Sequence, residues 1–379
     1  MTDHAEHAFS LGDGGPFQAV ARRLHLLRPS GTVHAAWLVG VAWLPLIVAS
    51  AVRVAIGHGV DPLLHDISVH TRLLVALPLL VAAERALDQT SRGALHQLYE
   101  SNMVDHDTLN ALVDRAHRLR ELFAIEAILA VAAVGFGELV IWGRAGAGLV
   151  HGSTETVWSF ARIWYGLVGL PLVVFLMARW FWRWIVWTYV LARLSRLRIA
   201  TIGTHPDRAA GLEPLSWPLM AFCAYLLALS SILAGAWGTQ LLDGRMTMPR
   251  LVPTLCLFVG LAYVVGCAPL LVFTGKLFRA HRRALVEYTP LAHDYVSRLQ
   301  QKWIDGHPSE PLLGNPDFQS WHDLESAFEN LAKFRLFVFG IGPLRNMLIA
   351  SLLPLLPLLA TTLSVEDVLR RIGGLLLGT

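Results

Sequence analysis

Long apolar runs alternate along the chain with polar stretches that keep a helical period, and this alternation predicts an all-α, polytopic membrane protein. A bilayer crossing needs about 20 predominantly apolar residues at 1.5 Å each. Runs of that kind fall at 35–56, 67–86, 123–142, 161–182, 217–241 and 251–277. A last apolar segment, 341–363, contains Pro343, Pro354 and Pro357. It reads either as a kinked span or as a re-entrant hairpin, so the expectation is six or seven transmembrane helices.

The polar stretches carry amphipathic patterns. Leu109, Leu112, Ala116, Leu119 and Leu122 make an apolar stripe, and no breaker stands between it and Phe123. The pattern predicts one long helix projecting into water and continuing into the third span. Beyond the sixth span, a first helix is expected to end near Pro290. A second, 291–303, has Ala292, Tyr295, Val296, Leu299 and Trp303 on one side. A Pro/Gly-rich loop follows, and Trp321, Leu324, Phe328 and Leu331 stripe a third helix. A short interfacial helix is expected over 16–28 and an amphipathic one in the tail from Ser364. The organisation expected is an N-terminal segment 1–33 and a membrane region 34–277 with helical extensions at 88–122 and 190–214. A helical segment 278–338 and a final membrane segment with its tail, 339–379, complete it.

Composition agrees: 54% of the 379 residues are hydrophobic and 16% charged, where a soluble protein carries about a quarter charged. A net charge of +3 gives no case for nucleic acid. Cys223, Cys256 and Cys267 lie in apolar runs and read as small packing residues. No cofactor and no metal is implied. The first 15 residues lack a basic stretch followed by an apolar core, so the first span is expected to act as an uncleaved signal.

Arginines set the expected orientation through the positive-inside rule. They cluster before span one, between spans two and three, between four and five, and after six. These segments are assigned to the cytoplasm of a bacterial inner membrane, where they form a helical layer. Its apolar stripes need partners, which predicts a homo-oligomer or a cytoplasmic protein partner in addition to the lipid bilayer.

Four groups of residues are candidates for chemistry. The band around Arg179 and Arg183 puts Trp180, Trp184 and Trp187 on one helical face and the arginines on another; it reads as a set of interfacial anchors at headgroup level. Glu126 and Glu138 lie inside the third span, where a carboxylate costs several kcal/mol unless paired, protonated or wetted. Twelve residues apart, they sit about 18 Å apart along the helix and therefore at two levels. Gly135 and Gly137 beside Glu138 would admit a second helix. Arg162 is its nearest plausible ion partner, against which stands an ion or proton path. His205, Asp207 and Arg208 sit on the loop after span four, with Asp207 expected to cap a helix opening at Arg208; a gate or ligand contact is the functional alternative. His58, Asp61, His65, Asp66 and His70 carry metal-ligand chemistry in no standard spacing, so a solvated loop is favoured over a metal-binding or pH-sensing mouth. There is no nucleotide loop, GxSxG, HExxH or CxxC, and no enzyme activity is read from the chain.

At Leu194-Ser-Arg-Leu-Arg-Ile and Thr204-His-Pro-Asp-Arg-Ala-Ala-Gly-Leu212 the chain resembles a group of bacterial integral membrane proteins of uncharacterised function. That group carries a THPD-(R/K)-x-G-GL segment after a Trp/Arg-rich span. The resemblance extends to 73–84 and 310–324, and implies an architecture but no activity. Ala210 stands where the group often has glycine. His205-Pro206-Asp207 is also the tripeptide of J-domain co-chaperones, but that domain needs a soluble helical hairpin of its own.

The function expected from these features is a homo-oligomeric channel or passive transporter with a cytoplasmic helical gate. The alternative is a non-conducting scaffold or sensor that binds a protein through its cytoplasmic helices.

Overall fold

The computed structural model describes residues 35–142, 159–306, 309–311 and 313–360. The expected interfacial helix at 16–28, the loop at 143–157 and the amphipathic tail lie outside them. Among the described residues the chain is all-helical, with seven helices long and apolar enough to cross a membrane.

In chain order, α1 is Ala35–Ala55, α2 is Ile67–Glu100, α3 is His106–Arg120 and α4 is Phe123–Trp142. Then come α5, Phe160–Leu194, α6, Pro218–Leu242, and α7, Met248–Leu271. α8 is Thr274–Gln300, α9 is Pro316–Ala332, α10 is Ile341–Leu352 and α11 is Leu356–Ala360. α5 and α6 form the centre, with about half of their apolar stretch buried, whereas α1, α4 and α7 keep outward apolar faces.

Two proline devices shape this centre. Pro78 and Pro171 lack an N–H and would clash with the preceding turn of a regular helix. In each helix a wider π-helical turn lies just before the proline, over Thr71–Ala76 in α2 and Tyr165–Gly169 in α5. A π turn accommodates the missing hydrogen bond without ending the helix. The two turns are bonded to each other, Arg72 donating to the Tyr165 hydroxyl at 2.8 Å.

The long helix expected from 88 into the third span is corrected to a helical hairpin. α2 continues to Glu100, the chain turns at 101–105, and α3 returns. Asn102 takes the left-handed conformation (φ 51°), which asparagine tolerates, and Asp105 caps α3 at Thr108 N, 3.0 Å. The stripe Leu109, Leu112 and Ala116 is buried as expected, but Leu122 is exposed at a second break before α4.

The helix expected to end near Pro290 does not end there. α8 runs through it to Gln300, because Pro290 and Val286, the residue whose carbonyl it frees, are both exposed and solvent can satisfy that group. The sixth span is shorter than expected, stopping at Leu271 with a turn at 272–273. α8 and α9 form an antiparallel hairpin: Tyr295 stacks on Trp321, and just past the end of α8 the Trp303 ring packs tilted against Phe318.

The last apolar segment advances along α6 rather than doubling back. Asn346 meets Met220, the carbonyl of Ala350 accepts from Ser230 at 2.8 Å, and Leu358 lies beside Gly238. The order of these contacts is that of a kinked crossing, with the kink at Leu353–Leu355 beside Pro354.

Candidate functional site

α5 carries the densest chemistry in the molecule. Arg179 and Arg183, four residues apart, share one helical face and are 1% and 2% exposed. Arg179 Nε donates to Glu126 Oε1 at 2.9 Å and its terminal nitrogen to Glu84 Oε1 at 2.5 Å, and Arg183 pairs with the same Glu84 oxygen. Glu84 comes from α2 and Glu126 from the first turn of α4. α2, α4 and α5 therefore meet on Arg179, Arg183, Glu84 and Glu126, and the buried Arg120 at the end of α3 lies close enough to act on Arg183.

Pairing of this kind makes several buried charges tolerable together. Removing water from one ion costs several kcal/mol, which attraction at short range offsets when geometry and hydrogen bonding are good.

The other face of the same helix is aromatic. Trp180 stacks on Tyr225 at 4.1 Å between ring centroids and on Trp184 at 5.8 Å. Trp184 also leans on Phe222, and its indole N–H donates to Val265 O at 3.1 Å. Trp187 is buried as well.

This corrects the expectation that Trp180, Trp184, Trp187, Arg179 and Arg183 are interfacial anchors. Indole and guanidinium groups mark headgroup level only when they face outward. α5 is central, so one face is filled by α6 and the other is neutralised by Glu84 and Glu126. Glu126 was expected to be buried charge; it pairs with Arg179, and Glu84 is the member of the set that sequence reasoning passed over. The signal was present as two carboxylates in or at the ends of neighbouring spans.

Glu138 and Arg162 are half-buried, toward the opposite end of the bundle from this cluster. The close approach expected beside Glu138 occurs at Gly137, where an added Cβ would fall 2.5 Å from Gly166 O and 2.7 Å from Pro171. It does not occur at Gly135, which has open space. Arg72 and Tyr165, both buried near that end, were not singled out from the sequence, since a lone arginine at a span entrance looks like a flanking charge.

The segment from His58 to His70 is a set of caps. Asp61 accepts from Leu63 N at 3.0 Å and Asp66 from Ser68 N at 2.8 Å. His70 Nδ1 accepts from the Trp43 indole at 3.2 Å, which leaves its Nε2–H to donate to Leu64 O at 2.8 Å. Among the described residues no three His, Cys, Asp or Glu side chains converge in a way that could hold a metal ion.

On the loop after α5, Asp207 does not cap a helix at Arg208. Arg208, Ala210 and Gly211 are all left-handed, with φ of 56°, 58° and 87°, so the chain coils instead. Asp207 gathers three backbone donors, Ala209 N at 2.8 Å and Gly211 N at 3.1 Å on one oxygen and Glu213 N at 3.1 Å on the other. His205 Nδ1 lies 2.8 Å from the Asp207 carboxylate, so its bond stays inside the loop.

Arg335, between α9 and α10, straps this coil. Its backbone N–H donates to Arg208 O at 2.7 Å, its guanidinium to Asp207 O at 2.5 Å, and it pairs with Glu213 at 3.2 Å. Gly203 packs directly on Ala280 and Ala284 of α8. The loop thus joins the bundle to the α8–α9 hairpin.

Comparison with known proteins gives no family model, no curated protein and no solved structure that matches the chain.

Proposed function

We propose that the protein is a non-conducting membrane scaffold or sensor, held in a bacterial inner membrane, that engages a protein partner through the α8–α9 hairpin on the cytoplasmic side. One observation carries this reading. Of the 27 residues of α8, only Leu277, Ala280 and Ala284 are buried, all near its base. Farther out, Leu285, Val286, Leu291, Val296 and Ile304 are exposed. Leu285 and Val296 fall on one side of α8, and apolar side chains exposed on a polar helical projection offer an interaction face. The channel reading needs charge lining a wet path, and the deepest charges of this chain are instead paired with one another, so the alternative is the better supported.

The test uses the full-length protein in native membranes and in liposomes. A photo-crosslinking residue in place of Leu291 should give one discrete adduct, and Leu285→Asp with Val296→Asp should abolish it without loss of membrane insertion. Purified protein in liposomes should conduct no ions above the lipid background. Ion flux that depends on Glu126, or the absence of any adduct, would refute the proposal.

A further inference from the structure

We propose that the groove between α1 and the start of α5 is a binding site for one anionic phospholipid. Where the two helices touch, the Trp164 indole donates to Val41 O at 3.1 Å. Beyond that point they part and leave a laterally open groove of about 800 Å³. Its long wall is the α1 stripe Leu44, Val48, Val52 and Ile56, each more than half exposed, and Phe160 closes the other side.

From the Arg53 end down to Leu44 the stripe runs nine residues, about 14 Å of helix, against about 15 Å for the hydrocarbon of one leaflet. An acyl chain therefore fits along its length.

The occupant is fixed by the polarity gradient. The polar lining of the groove is Arg53, His58 and Ser159, and the first two come together at the end of α1. A helix cap creates that meeting. Gly57, at φ 83°, turns the chain back so that His58 N bonds to Arg53 O at 2.9 Å and Gly57 N to Val54 O at 3.1 Å, the paired bonds of a Schellman motif. The chain is thereby returned over the last turn of α1 at His58, which lines the groove together with Arg53. Arg53 reaches Asp61 with one nitrogen, at a long 3.4 Å, and a guanidinium has five donors. A phosphate at the mouth with its chain down the stripe satisfies both ends, taking the guanidinium donors that Asp61 leaves open, whereas a wholly apolar ligand would leave those donors unused.

The experiment is native mass spectrometry of the full-length protein in mild detergent. Phosphatidylglycerol and phosphatidylcholine of identical chains are added, with glycerol 3-phosphate as competitor. The wild type should retain one phosphatidylglycerol, about fivefold more tightly than phosphatidylcholine. Val48→Trp, which fills the chain channel, should weaken retention at least about tenfold. His58→Gln, which leaves the Arg53–Asp61 pair alone, should reduce the headgroup preference. Glycerol 3-phosphate should displace nothing.

Equal retention of the two lipids, retention unaffected by Val48→Trp, or loss of all lipid on detergent exchange as in ordinary annular contact would overturn the proposal. Displacement by glycerol 3-phosphate would reassign the mouth to a free phosphate and overturn it equally.

Discussion

The same motif, one cation held between two carboxylates, recurs among the described residues in opposite surroundings. In the bundle, Arg179 joins Glu84 and Glu126 and is 1% exposed. At the tip of the α8–α9 hairpin, Lys302 joins Glu310 at 2.8 Å and Asp317 at 2.9 Å, with its side chain 41% exposed. Distances are alike, so geometry does not separate them. Environment does. In water an ion pair contributes little, because solvent and salt compete for each charge. Away from water the pair itself is close to neutral in stability, but either half alone is intolerable. The inner set therefore ties three helices to one arrangement, while the outer set only trims a loop.

The sharpest way to break this comparison is to remove one inner carboxylate. Glu126→Gln leaves Arg179 buried with half its charge compensation and should cost about 3–5 kcal/mol, read as a loss of folded protein on heating in detergent. Glu126→Met with Arg179→Met removes one charge of each sign, leaves Glu84 with Arg183, and should recover much of that loss. The matching change outside, Lys302→Met, should leave the unfolding midpoint where it was. A mild Glu126→Gln phenotype, or a severe Lys302→Met one, would show that burial is not the deciding variable.

The junction loop lies between these extremes, with the Asp207 side chain 11% exposed. Asp207→Ala strands three backbone donors and should destabilise by about 1–3 kcal/mol, with Asp207→Asn recovering part. Ala210→Gly should act the other way. A Cβ at φ 58° costs about 1–2 kcal/mol in the left-handed region, so glycine should raise the unfolding midpoint by the equivalent of about 1 kcal/mol. A lowered midpoint in Ala210→Gly would mean that the buried methyl contributes more through packing than the backbone loses through strain.

How much of this was legible in the sequence differs between the two regions. Span positions were, because some twenty apolar residues in a row leave few alternatives, and the α9 stripe also appeared, with Leu331 buried and Trp321, Leu324 and Phe328 half-buried. The turn at 101–105 was not legible, since Ser101 and Asn102 are weak breakers whose effect depends on Asp105 capping the next helix. Pro290 misled because a breaker ends a helix only when the freed carbonyl has no solvent to turn to. The central site misled most. Tryptophan and arginine on opposite helix faces describe an interfacial band and a buried hub equally well. Only the placement of Glu84 and Glu126 beside the arginines decides between them, and that is a fact about three helices at once. Ala210 was the reverse case: glycine is favoured at that position because the backbone there is left-handed.

The smallest expected effect lies at the hairpin tip, where pH can dissect the outer set without touching the inner one. Hydrogen bonds from Lys302 and the Trp303 indole hold the Asp317 carboxyl below its ordinary 3.8, and Lys302 and Asn315 hold Glu310 below 4.5. Glu310 and Asp317 in turn raise Lys302 above 10.5. A depressed acid contributes stability above its ordinary range and loses it as pH falls through the lowered folded value. A raised base contributes below its ordinary value and loses it as pH climbs through the raised one. The tip should therefore stay closed from about pH 5 to pH 10 and open only outside that window. The indole N–H of Trp303 donates to Asp317 Oδ2 at 2.9 Å, which makes its resonance, assigned with Trp303→Phe, the direct reporter. It should hold constant across the window, move upfield below about pH 4, and do so with no change in the unfolding midpoint of the bundle. Movement centred well above that range would show that the tip is governed by a group outside this set rather than closed by its own ion pairs.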